Sequence, residues 1–111
     1  MTIRDRIKTI QSDLRDTAKT PELVREALVV LTALLGNVND ECRAADHEYK
    51  LVLLGCMAGG EPANRARIRA EVSEQYMRAR EAKDTAALVV EMIRSCKSYL
   101  RSLDEEMRLA R

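Results

Sequence analysis

Arg94, Lys97 and Arg101 recur at i, i+3 and i+7, so a helix carries them on one face, and no Asp or Glu lies between 92 and 103. A face of that kind suits phosphate groups. It would bind a polynucleotide backbone without reading its sequence, and salt would weaken the binding. A second basic group, Arg65, Arg67 and Arg69 followed by Arg78, Arg80 and Lys83, alternates with Glu71, Glu74 and Glu81. Here a structural explanation competes. Between 21 and 57 six acids (Glu22, Glu26, Asp40, Glu41, Asp46, Glu48) face three bases (Arg25, Arg43, Lys50), so these arginines can pair across two helices and set their register. The net charge of +1 supplies no global attraction to polyanions, so any attraction must be local. Three Tyr and no Trp or Phe argue against an aromatic platform on which bases stack.

The residues that catalysis needs are nearly missing. The single histidine, His47, sits between Asp46 and Glu48 with no second ligand at i+4 and no nucleophile paired to it, and reads as solvent-facing. Cys42, Cys56 and Cys96 form no CxxC and no Cys/His cluster. They read as small buried hydrophobes with reduced thiols. Asp104-Glu105-Glu106 reads as a solvated acidic patch. No phosphate-loop, dinucleotide, zinc-protease or nucleophile-elbow pattern occurs. No enzymatic activity, cofactor or metal is expected.

The elements that position these side chains are all helical. The expected fold is an all-α antiparallel helical hairpin, coiled-coil-like, with a short N-terminal helix: three helices over about 3–18, 21–57 and 63–109, in a single domain of residues 1–111. The first carries the stripe Ile3, Ile7, Ile10, Leu14 and is too short to be stable unless docked. Thr20-Pro21-Glu22 supplies a cap, a first-turn proline and a first-turn acid for the second. Its apolar seam alternates four and three: Val24, Leu28, Leu31, Leu35, Val38, Cys42, Ala45, Tyr49, Val52, Cys56. Gly36-Asn37 is its weak point; the seam keeps phase across it, which favours one continuous helix over a break. The third helix repeats the spacing from Ile68 and Val72 through Gln75, Ala79, Ala82, Ala86, Val89, Ile93, Cys96, Leu100 and Leu103 to Met107. An uninterrupted run of that length describes a helix of about 60 Å.

Ala58-Gly59-Gly60-Glu61-Pro62 ends the second helix, with Gly59 or Gly60 in the left-handed cap, and folds the third back onto it. A turn near residue 61 pairs residues whose numbers sum to about 122. The cysteines then lie too far apart for an intrachain disulfide. Leu51-Val52-Leu53-Leu54 points all round the second helix, and one neighbouring helix cannot cover it. Tyr76 and Met77 add apolar surface opposite. Leu51, Leu53, Leu54, Tyr76 and Met77 are therefore the expected interface of a homo-oligomer. The charged N-terminal stretch and the lack of a long apolar run point to a cytoplasmic protein with no membrane association.

From Glu48-Tyr49-Lys50, through an apolar stretch and a glycine loop, to Arg65-Ala66-Arg67, Ala70-Glu71 and a long amphipathic helix, the pattern resembles small helical-hairpin proteins of tailed phages. Some of these are similar to the recombination mediator of T4-like phages, which forms a ring and loads recombinase onto single-stranded DNA. The resemblance covers about 60 residues within 48–111 and implicates Lys50, Arg65 and Arg67 in DNA contact. The chain departs from that family in lacking its aromatic C-terminal helix. The expected function is an oligomeric phage-type accessory protein for recombination or replication. It would bind single-stranded nucleic acid weakly through Lys50, Arg65, Arg67, Arg94, Lys97 and Arg101, and bridge to a protein partner. The alternative is a protein-interaction adaptor or inhibitor without nucleic-acid activity. A secreted helical-hairpin substrate is a third reading, set back by the absent Trp-x-Gly turn.

Overall fold

A computed structural model describes residues 2–110, and over these the chain is all-α, with no strand. The described residues form four helices rather than the expected three: α1 (Ile3–Asp16), α2 (Pro21–Met57), α3 (Ala63–Glu71) and α4 (Glu74–Leu109). The chain divides into two compact units. One takes the chain up to Asn37 and from Ala87 onward; the other is Val38–Ala86.

In the first unit α1 opens on a capping box. The Asp5 backbone N–H donates to Thr2 Oγ1 at 3.1 Å, and the Thr2 N–H donates to Asp5 Oδ2 at 3.3 Å. Those two bonds satisfy donors that a helix start otherwise leaves to water. Ile7 is buried, while Ile3, Ile10 and Leu14 are half-buried, so the expected stripe is the docked face. α1 stops at Asp16, two residues before the expected end, where Thr17 turns extended. Thr20 caps α2 by accepting the Leu23 N–H at 3.1 Å. Core side chains come from every segment: Ile7 from α1, Val24, Ala27, Leu31 and Leu34 from α2, and Val89, Met92 and Cys96 from α4. α2 runs through Gly36 without interruption, so the break that glycine allows does not occur.

In the second unit the α2 seam continues with Val38 buried and Cys42, Ala45, Tyr49, Val52 and Cys56 half-buried. Gly60 takes the left-handed conformation (φ 81°) that ends the turn, as the glycine pair predicts. α3 then corrects the expected seam. Ala66 and Ala70 are fully buried, whereas Ile68 and Val72 are 64% and 79% exposed. The face is offset by two residues, roughly 200° of helix rotation. The cause is a break at Val72-Ser73. Val72 sits at φ −93°, ψ 1°, and the Ser73 N–H bonds back only three residues, to the Ala70 carbonyl at 3.1 Å. Ser73 Oγ donates to that same carbonyl and accepts the Tyr76 N–H at 3.2 Å, which makes it the cap of α4. A four-three pattern drawn straight through 72–75 therefore joins two helices of different phase. Beyond the break the expected seam residues of α4 are buried or half-buried from Gln75 to Leu103, and Met107 is exposed.

Candidate functional site

In the second unit, α2, α3 and α4 meet around a tyrosine pair. The rings of Tyr49 and Tyr76 lie 5.2 Å apart, tilted by 55°. Burial pushes the Tyr49 phenol up from its ordinary range, the carboxylate of Glu71 and the Tyr76 ring add to this, and the Arg67 guanidinium pulls the other way. Arg67 of α3 thus sits within electrostatic reach of the pair. Tyr76, expected at an oligomer interface, is half-buried and spends part of its ring on Tyr49.

The bases of this unit divide into tied and untied. Lys50 pairs with Asp46 at 3.0 Å, one turn away on α2. Arg69 pairs with Glu61, whose second carboxylate oxygen is buried with no hydrogen bond. Arg78 reaches Glu48 of α2 at 3.9 Å and Glu74 at 3.8 Å, a contact of the acid-to-base kind that charge layout suggests. Arg65 and Arg67 are exposed and make no ion pair among the described residues. Arg80 and Lys83 are likewise exposed and unpaired there, Lys83 lying near the Cys42 thiol.

Apolar surface is the more pronounced feature. Leu51, Leu54, Met57, Ile68, Val72 and Met77 are all large, all in the second unit and all 45–79% exposed. Leu51, Leu54 and Met77 are residues expected at an interface; Leu53, also expected, is half-buried. The four-three spacing predicts Ile68 and Val72 on the internal seam, and the break at Ser73 leaves them facing outward.

In the first unit Arg94 is tied to Glu91 at 2.8 Å. The acid lies one residue outside the acid-free window, so the expected three-cation face keeps Lys97 and Arg101 as its untied members, both exposed. A groove of about 410 Å³ opens between the end of α1, the start of α2 and α4. Within its lining the Tyr99 hydroxyl donates to the Lys19 carbonyl at 3.3 Å, and the Lys19 ammonium lies 5.9 Å from the Tyr99 ring centre. Nothing in the sequence pattern marked this groove, because it needs three segments set side by side.

His47 is exposed on α2, and the described residues hold no group of His, Cys, Asp and Glu able to bind a metal. Cys96 is buried, Cys42 and Cys56 are half-buried, and all three thiols are free. No helix among the described residues is long and apolar enough to cross a membrane. No family model, no curated protein and no solved structure matches this chain.

Proposed function

We propose that this chain is a helical protein-interaction module. In this reading α2 packs antiparallel to α3 and α4, and the outward apolar surface of residues 38–86 binds a second copy. The antiparallel arrangement is supported by three relationships whose residue numbers rise on α2 as they fall on α4: Cys42 near Lys83, Glu48 with Arg78, and Tyr49 on Tyr76. Association is carried by one observation, the exposure of Leu51, Leu54, Ile68, Val72 and Met77 within a unit of 49 residues (38 to 86). Burying each side chain contributes about 1–2 kcal/mol, and single exposed hydrophobes are ordinary but a concentration of them marks an interface. Light scattering tests it. Wild type gives a mass above the 12.6 kDa of one chain, and Leu54→Glu brings it toward that value. A wild type of one-chain mass at all concentrations refutes it.

A second reading, the phage-type accessory protein that binds single-stranded nucleic acid, is supported by the untied cations. Arg65 and Arg67 in one unit, and Lys97 and Arg101 in the other, are free to meet phosphates. The pairs holding Lys50 and Arg94 are exposed and worth at most about 1 kcal/mol, so phosphate can displace them. Fluorescence anisotropy with single-stranded DNA decides. The reading requires an affinity that falls with salt and is lost in Arg65→Glu/Arg67→Glu or Lys97→Glu/Arg101→Glu; no binding at low salt ends it.

A further inference from the structure

The groove of the first unit is lined by side chains of two chemical kinds. Most of its lining is carbon, from Leu14 of α1, Val24 of α2, and Leu88, Met92, Cys96 and the Tyr99 ring of α4, with Gln11 and Ser95 as uncharged polar members. Val24, Met92 and Cys96 are buried core residues, so the floor exists before any ligand arrives. Its volume, about 410 Å³, falls in the range of small-molecule clefts, and its lining follows their pattern of apolar walls with a few polar groups.

The charged members of the lining are two bases and one acid. Lys19 makes no ion pair with a carboxylate among the described residues and is held over the Tyr99 ring. Arg15 is beside it, paired with Asp16. The one acid of the lining, Glu91, is engaged by Arg94. An occupant thus meets mostly hydrocarbon, and in Lys19 a positive charge that no carboxylate of the lining offsets. A neutral hydrocarbon leaves that charge unused, and a cationic amphiphile opposes it.

We propose that this groove binds an anionic amphiphile, a medium-chain carboxylate, with its chain between Leu14 and Met92 and its head group on Lys19. The site is independent of the second unit's apolar surface and stands whether or not that surface associates. Each end contributes differently: chain burial supplies affinity in proportion to area, and Lys19 supplies the choice of charge.

The test uses the full chain with decanoate, decanol and decyltrimethylammonium, each below its aggregation concentration, followed by NMR of methyl resonances. Decanoate is expected to shift the methyls of Leu14, Val24, Leu88 and Met92 saturably. Decanol should bind at least threefold more weakly, and decyltrimethylammonium should give no saturable shift. Lys19→Glu should weaken decanoate about tenfold and leave decanol unchanged, while Lys19→Arg should restore the preference. Absence of saturation at those methyls, or equal binding of the cationic amphiphile, overturns the proposal. So does a shift of the same methyls with protein concentration alone, because the occupant would then be a second copy.

Discussion

The rings of Tyr49 and Tyr76 lie 5.2 Å apart at a 55° tilt, joining α2 to α4 within the second unit. A tilted pair at that distance lies within the range of favourable aromatic contacts and is worth about 0.5–1.5 kcal/mol beyond the area it buries. A double-mutant cycle of Tyr49→Leu and Tyr76→Leu should return a coupling of that size by chemical denaturation. Additivity within about 0.3 kcal/mol would show that the rings merely coexist.

Ser73 separates α3 from α4, and its side chain replaces bonds that a continuous helix would supply from its own backbone. Ser73→Ala should lower stability by about 0.5–2 kcal/mol, the usual cost of a lost cap, and Ser73→Asp should retain most of it. The sign is diagnostic. In the interior of one unbroken helix alanine is the better residue, so a neutral or stabilising Ser73→Ala would mean that Ile68 and Val72 belong to the seam after all.

Much of this was legible in the sequence. Every seam residue of 24–56 is buried or half-buried, because a four-three spacing without a slip leaves an α-helix one way to face its neighbours. The start at Thr20-Pro21 and the turn at Gly60 follow from backbone chemistry that few other residues share. The break at Ser73 was not legible from periodicity. Val72 and Gln75 continue the spacing, and the signals against continuity are a serine followed by Glu74, residues that helix interiors also tolerate. The offset that exposes Ile68 rests on Ala66 and Ala70, small residues that a search for large apolar side chains passes over. Arg94 lost its place on a free cationic face to Glu91, which a window opening at 92 excludes.

Gly36 is exposed and helical, and a Cβ added there meets open space. No contact among the described residues requires glycine there, so Gly36→Ala should raise stability by about 0.5–1 kcal/mol through the unfolded chain's reduced freedom. Differential scanning calorimetry reads this as an upward shift of a few degrees. A lower melting temperature would place a bend or a contact at this position.

Burial pushes the Cys96 thiol above its ordinary value of 9.0, against the pull of Lys19. The folded state then holds this proton more tightly than the unfolded state does. The contribution is fully present below the unfolded thiol's pKa and is lost as pH rises through the folded one. Cys42 shifts in the same direction, through burial first and Glu41 second, against Lys83. Melting temperature should therefore hold up to about the ordinary thiol value of 9.0 and fall as pH rises beyond it, and Cys96→Ala should flatten part of that fall. An unchanged slope in the variant would remove Cys96 from the effect.

The claim that the second unit binds another copy through its outward apolar side chains is tested most directly by isotope-filtered NMR on a mixture of labelled and unlabelled protein. Intermolecular contacts are expected at the methyls of Leu51, Leu54, Ile68, Val72 and Met77. Their absence, or contacts confined to residues before 38 and after 86, would contradict the account.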